Sequence, residues 1–576
     1  MLLPITSARA SKTRVAAVLP VILLVLLGIL IAAPLIKILI ATLSSEGLQA
    51  WSDVLVGRVS TNLWWRPLLT TLALGVGGAV FALLIGGLLA WLVVLTDMPG
   101  RNLVATLSTL PFMIPSFAGA LAWVTVFRNG RIGGNVGLFE AHGISIPDWL
   151  AWGFLPTIIV LVAHYFSLAY TIIAAALGTV GADLIESARM AGASRARTLF
   201  GIILPIVTPA LIASGSLVFA GVVANFATPA FLGLPVRMYT LSVRLFGLID
   251  TGHTARGYVI ALLLIAVAAS LLFASDRYVS GRRAFTTVTG KGARVNRLAL
   301  GVWRWPLFFL AALIGTMTSI VPVLVLLFSS LARQPGALFS DWTLHFWIGE
   351  KGGPLADGLP GLFRNPQIIE ALWNTIRLGT VVAITTMALG LVVAYSIIRF
   401  KNRMLGTALS QLAFVPLLVP SIAFAAAYVA LFGRPVGPFP SLYGTFALLV
   451  LAATAHNLPF AVQSARSVLG QVSKDIEESA VMAGANFFTR VIFITIPLAI
   501  RGLLAGGILV FVKMVRDLSL VVFLTTAVPV LSMLAYYYTG LGFMQYANAI
   551  TLVILAICLA ASFVVHLIQQ RVRKWN

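Results

Sequence analysis

The sequence predicts an all-α, polytopic membrane protein of about twelve transmembrane helices in two parallel six-helix repeats. Three observations carry that expectation. Only 10% of the 576 residues are charged and 60% are apolar, whereas an average globular chain is about 25% charged. Apolar runs of the roughly 20 residues that cross a bilayer recur along the chain. Two segments of the first half return in the second half with their residue order kept.

The spans follow from runs free of Asp, Glu, Lys and Arg. The first half gives Val15–Ile36, Pro67–Thr96, Asn102–Phe127, Trp149–Ala182, Thr198–Val236 and Gly257–Ser275. The second gives Trp305–Ala332, Leu378–Ile398, Met404–Gly433, Pro435–Ala465, a less clean Val491–Val515 that contains Arg501 and Lys513, and Tyr546–Gln570. Arg9, Lys12 and Arg14 precede the first run as they would in a signal peptide. Its 22 residues exceed the roughly 7–15 of a signal core, so it reads as a retained anchor. The stretches Ser44–Arg66, Arg128–Trp152, Asn225–Arg256, Leu331–Ile376 and Thr525–Gln545 read as outer loops, and their tryptophans mostly as an interfacial belt.

The 39 Lys and Arg against 17 Asp and Glu give a net charge of +22. With twelve spans both termini share one side, and 23 Lys and Arg fall there against about thirteen on the other. The richer side is cytoplasmic by the positive-inside rule. The charge is therefore topology rather than a nucleic-acid surface. The single cysteine, Cys558, excludes an intramolecular disulfide framework.

Pro111-Phe-Met-Ile-Pro115-Ser116 returns as Pro416-Leu-Leu-Val-Pro420-Ser421, 305 residues on. Asp183-Leu-Ile-Glu186-Ser-Ala-Arg-Met-Ala-Gly192-Ala returns as Asp475-Ile-Glu-Glu478-Ser-Ala-Val-Met-Ala-Gly484-Ala, 292 residues on. An even number of spans per unit makes the duplication parallel, unlike the inverted repeats of many secondary transporters. The expected division is a first half over 1–280, a basic linker over 281–304 and a second half over 305–576. A pseudo-two-fold axis along the membrane normal would relate the halves.

The repeated segment carries the functional signal. From Glu186 or Glu478 the glycine follows at six residues and Pro205 or Pro497 at nineteen. The acids Asp183 and Glu186, like Asp475 and Glu478, suit the positive end of a short helix. Met190 and Met482 lie four residues after the glutamates and share their face. Gly192 and Gly484 end the helix. Over residues 183–205 and 475–497 the segment resembles the EAA loop of binding-protein-dependent ABC importer permeases, with Ser in place of the first Ala in both copies and Ile496 in place of Leu in the second. The resemblance implies that Asp183, Glu186, Ala188, Met190 and Gly192, and Asp475, Glu478, Ala480, Met482 and Gly484, form two coupling helices. Each would dock on one of two copies of a cytoplasmic ABC ATPase. It also implies a periplasmic solute-binding protein as the second partner and a bacterial inner membrane as the location. No P-loop is present: Gly290-Lys291-Gly292-Ala293 lacks the hydroxyl that holds magnesium. ATP and Mg are thus expected on the partner, with no cofactor, metal or catalytic residue in this chain.

Polar groups inside spans are sparse. His164 and His456 are equivalent and 292 apart; without nearby carboxylates or Cys they read as inter-helix hydrogen-bonding groups rather than metal ligands. Arg516 and Asp517 follow Lys513, and their first-half counterparts are Ala224 and Asn225. Charges at depth face a partner or a water-filled path. Arg516 and Asp517, with Asn225 and Phe226, are therefore candidates for a pathway or gate, with a structural ion pair as the competing account. Two halves fused in one chain, and the stretch Phe226-Ala-Thr-Pro-Ala-Phe-Leu-Gly-Leu-Pro235, resemble the ferric-iron permeases; thiamine, polyamine, sulfate and aminoethylphosphonate are the other solutes that the wider resemblance allows. A gradient-driven carrier would carry several acids within its spans, where essentially only Asp517 is found. An intramembrane enzyme would show a catalytic constellation at depth.

Overall fold

A computed structural model describes residues 18–181, 186–188, 190–280, 297–353, 355–399, 403–435, 440–471, 473–525 and 527–573. Asp183 and most of the basic linker lie outside them. Among the described residues the regular structure is helical, and only two isolated β-bridges occur.

Among the described residues ten helices are long and apolar enough to cross a bilayer: Val18–Thr42, Thr61–Leu95, Asp148–Leu177, Leu199–Ala224, Thr254–Ser275, Gly301–Leu331, Pro366–Arg399, Phe446–Leu469, Val491–Val515 and Met544–Val564. Three further pairs are sharply bent. Arg101–Phe112 meets Ser116–Phe127 at 94°, and Met404–Leu418 meets Ser421–Phe432 at 108°. These two pairs break at Pro115 and Pro420, whose extended backbone cannot continue the preceding helix. With the ten straight helices they account for the twelve runs in the sequence.

The third pair, Ala227–Val236 and Leu241–Asp250 at 78°, replaces much of the expected outer loop at Asn225–Arg256. Every residue from Ala227 to Gly233 is buried. In the other repeat the helix Leu531–Gly540 similarly lies within the expected loop at Thr525–Gln545. The apolar run Thr198–Val236 took Ala227–Val236 into the preceding span, and Arg237, Arg244 and Asp250 kept Leu241–Asp250 out of any run.

Proline also shapes the long helices. Four five-residue π-helical turns, Gly28–Ala32, Thr61–Trp65, Leu199–Ile203 and Val491–Thr495, each end two residues before Pro34, Pro67, Pro205 or Pro497. A proline inside a helix clashes with the carbonyl four residues back and donates no N–H. Widening the turn moves that carbonyl aside, which is why the ladder runs five residues back just before each proline.

Compactness divides the chain into two units that differ from the sequence repeats. One comprises residues 1–48, 367–533 and 556–576; the other comprises 49–366 and 534–555. In the first, Val18–Thr42 packs on Ser421–Phe432, and the buried Tyr428 hydroxyl donates to the Leu30 carbonyl at 2.6 Å. In the second, Gly301–Leu331 packs on Ser116–Phe127, the helix equivalent to Ser421–Phe432. Each unit thus joins the core of one repeat to the span that opens the other.

Within each unit a glycine sits at a close helix crossing. A Cβ on Gly86 would lie 2.7 Å from the Phe166 carbonyl oxygen and the Tyr170 nitrogen; on Gly390 it would lie 2.6 Å from the Ala461 Cβ. Small residues let membrane helices approach this closely. Gly86→Ala is expected to cost about 1–3 kcal/mol by forcing the helices apart. Gly87→Ala, whose Cβ would meet only Ile173 at 3.8 Å, should be neutral. Thermal unfolding of both variants in detergent checks the contrast.

Candidate functional site

The duplicated segments close with the same glycine turn. Lys474–Met482 is a helix whose first turn is capped by Ser473, the hydroxyl accepting from the Asp475 amide at 3.2 Å. It ends when Gly484 turns left-handed at φ +86°, with the Ala485 amide donating to the Ala480 carbonyl at 2.9 Å and the Gly484 amide to the Val481 carbonyl at 3.0 Å. These are the paired bonds of a Schellman cap, and the positive φ is the reason for glycine. In the first copy Gly192 sits at φ +80° and the Ala193 amide donates to the Ala188 carbonyl at 2.9 Å. Ala188 and Ala480 therefore supply the carbonyls that close the two turns.

The side chains the sequence singled out point outward. Glu186, Asp475 and Glu478 are exposed. Met190 and Met482 are 90% and 87% exposed. A polarisable apolar side chain this bare, at the same place on two equivalent turns, is a typical anchor for another protein surface.

A neighbouring residue that the sequence did not single out is buried. Glu477 pairs with Arg399 at 3.1 Å, their side chains 7% and 9% exposed. The Tyr395 hydroxyl also donates to Glu477 Oε2 at 3.0 Å. Both partners lie on the last turn of Pro366–Arg399, so the short helix is tied to the end of a long span. The repeat offset places Ile185 opposite Glu477. Thr71 and Thr375, Gly75 and Gly379, and Gly86 and Gly390 correspond at 304 residues, which places Trp91 and Leu95 opposite Tyr395 and Arg399. The first repeat thus has no residues to make this pair. The only available signal was that difference between the copies, Ile against Glu.

Asn225 and Asp517 occupy equivalent turns. Asn225 Oδ1 accepts from the Thr228 amide at 3.0 Å, and Asp517 Oδ1 accepts from the Leu520 amide at 3.0 Å. Ser242 donates to the Asn225 carbonyl and Ser532 to the Asp517 carbonyl. The amides of Leu241 and Leu531 donate to the hydroxyls of Thr71 and Thr375 at 2.9 and 3.0 Å. Both side chains therefore cap the turn that follows a long helix. Phe226 is fully buried against Phe246 and Tyr536. Lys513 Nζ stands 3.8 Å over the Phe460 ring. Arg516 caps the end of Ile496–Val515. If capping is the whole role of Asp517, Asp517→Asn, which restores the first repeat's residue, should hold stability, whereas Asp517→Ala should lose about 0.5–2 kcal/mol. Transport lost in a thermally unchanged Asp517→Asn protein would instead assign the charge to the pathway.

The equivalent histidines are held differently. His456 Nε2 lies 3.0 Å from Ser421 Oγ on a neighbouring helix, the inter-helix bond expected there. His164 stacks on Phe112, ring centroids 5.8 Å apart. No group of three or more His, Cys, Asp or Glu that could hold a metal occurs among the described residues.

The described residues form an all-α polytopic membrane protein that carries the same outward-facing helix–glycine turn twice. The chain belongs to the family of binding-protein-dependent transport system inner membrane components, whose description matches residues 82–286 and again 386–574. It is 25% identical over 425 residues to a putative ferric transport system permease protein of Haemophilus influenzae, covering 73% of this chain and 64% of that protein. It is 25% identical over 435 residues to a ferric transport system permease protein of Actinobacillus pleuropneumoniae, covering 73% of this chain and 59% of that one. The match thus spans about three-fifths of the length of these relatives. A molybdenum transport system permease protein of Escherichia coli is 29% identical over 222 residues, 38% of this chain and 94% of that protein.

Proposed function

We propose that this chain is the membrane subunit of an ATP-driven importer, that a periplasmic binding protein delivers its solute, and that the solute is ferric iron. The observation that carries the importer role is the pair of equivalent turns presenting Met190 with Glu186 and Met482 with Glu478. Two docking sites on one chain call for two ATPase copies, which would bind ATP and Mg. On this proposal both turns and both termini are cytoplasmic. ATPase closure moves the turns, and the two halves rock about a pseudo-two-fold axis to open the pathway alternately to either side. No covalent chemistry takes place in the chain.

Iron is favoured because the two ferric relatives match across both repeats, whereas the molybdenum relative matches over 38% of the chain. An oxyanion is the second candidate, supported by that match and by a probable sulfate transport system permease protein of Chlorokybus atmophyticus, 26% identical over 202 residues, 34% of this chain and 68% of that one. Uptake of radiolabelled ferric iron under iron limitation, in cells with and without the gene and with ATP depletion as control, tests the proposal. An ATP-dependent loss on deletion is expected. Intact iron uptake together with lost molybdate or sulfate uptake would transfer the role to the oxyanion. If ATP depletion left the gene-dependent uptake untouched, the chain would be a gradient-driven carrier.

A further inference from the structure

The second of the two compact units contains a cavity of about 480 Å³ between the helices Ser116–Phe127, Phe154–Leu177 and Gly301–Leu331. Protein interiors rarely leave voids much larger than a water molecule. An apolar void of about 150 Å³ is already enough to take up benzene, and this one is about three times that size.

The two repeats explain why it is there. At the 305-residue offset Gly119 on the cavity wall corresponds to Phe424, and at the 292-residue offset Val160 corresponds to Ala452. In the other unit the Phe424 ring is fully buried, 5.3 Å from His456 and 5.1 Å from Tyr428. Gly119 supplies no ring, and the equivalent space beside His164 stays open. A phenylalanine occupies part of the equivalent space in the other repeat.

Its largely apolar wall suits hydrocarbon better than water. A buried water needs two to four polar partners. Three polar side chains at the wall already bond within the protein. Ser116 Oγ accepts from Asn225 Nδ2 at 3.0 Å, Thr318 Oγ1 donates to the Ile314 carbonyl at 2.8 Å, and Trp123 Nε1 donates to the Leu150 carbonyl at 3.0 Å. The cavity is also continuous with the surface that faces lipid. Met317 lines it and is 53% exposed, in one stripe of Gly301–Leu331 with the exposed Leu313, Ile320 and Leu324. The medium at that surface is hydrocarbon, and apolar area is best covered by it.

We propose that this cavity is a binding site for one acyl chain of a bilayer phospholipid, which enters beside Met317 and packs on Gly119. The chain wedges between Gly301–Leu331 and the first repeat's core, the place that the other repeat closes with its own side chain. The site is independent of which solute the protein carries.

The test uses the full-length protein in nanodiscs containing a phospholipid with a photoreactive diazirine on one acyl chain. After illumination, labelled residues are mapped by mass spectrometry. Labels are expected on the cavity wall, at Ala163 and Val321, as well as on the outer surface at Phe309. In Gly119→Phe, and in Gly119→Phe with Val160→Ala, which transplants the other repeat's pair, the wall labels should be lost and those at Phe309 kept. The second variant guards against failure of the first, because a Cβ at Gly119 would already meet Val160 Cγ1 at 3.1 Å. Val321→Phe fills the cavity from the opposite wall and should give the same loss. Absence of wall labels in the wild-type protein overturns the proposal. So does wall labelling that persists in a folded, filled variant, since that would be annular lipid alone.

Discussion

Glu477→Ala is expected to destabilise the helix Lys474–Met482 by about 3–5 kcal/mol, the usual cost of removing one partner from a buried ion pair. Its carboxylate and the Arg399 guanidinium are both more than nine-tenths buried and 3.1 Å apart. Without the carboxylate, the Arg399 charge stays in a poorly solvated place and the Tyr395 hydroxyl loses its acceptor. The penalty should appear as local opening, because the pair ties a nine-residue helix to the end of a long span. Hydrogen exchange across residues 474–490 should therefore accelerate far more than in Val491–Val515. Replacing Glu477 and Arg399 together with methionine should recover much of the loss, since well-packed apolar residues often substitute for a buried pair without cost. Alanine at the adjacent Glu478, which is exposed, should change stability by no more than about 0.5 kcal/mol. Equal protection in the Glu477→Ala and Glu478→Ala proteins would show that the pair does not anchor the helix.

The contrast between these adjacent glutamates shows what a sequence can disclose. Composition and the spacing of apolar runs were enough to identify the spans, because bilayer thickness imposes a length that few other constraints imitate. The two turns were equally legible: a left-handed position selects glycine, and an exposed anchor keeps its register. Partnership between helices was not. Hydropathy is blind to which neighbour a span chooses, so the packing of Val18–Thr42 on Ser421–Phe432 had no signature. The pair Ala227–Val236 and Leu241–Asp250 was missed because its first helix falls within the apolar run Thr198–Val236 and charges interrupt its second. Asp517 drew attention as a charge at depth. The turn it caps became visible only once its amide bond could be set beside that of Asn225. Glu477 had no apolar or charged pattern to distinguish it. Burial comes from Tyr395 and Arg399, which stand some 80 residues earlier in the chain.

Charging the exposed methionines should have the largest effect on function with the least on the fold. Met190→Glu and Met482→Glu are each expected to abolish ATP-driven uptake while the protein inserts and melts as the wild type does. Both side chains are almost bare in the isolated chain, so nothing within it is disturbed. In a complex each would bury its thioether against an ATPase, a gain of about 1.5–3 kcal/mol for a fully buried methionine. A carboxylate forfeits that gain and adds a desolvation cost. A loss of about 2–3 kcal/mol corresponds to roughly 30- to 150-fold weaker association at the altered turn. Pull-down of the ATPase and solute-stimulated ATP hydrolysis in reconstituted vesicles measure it. The copies should respond unequally when the glutamates are changed instead. The second turn is held to Pro366–Arg399 through Glu477, so Glu478→Ala removes only an interface contact there. The first repeat has Ile185 and Leu95 in place of Glu477 and Arg399, and Glu186→Ala is expected to be the more damaging of the two. Undiminished ATPase association in both methionine variants would remove the turns from the coupling route and leave their duplication without the role proposed for it.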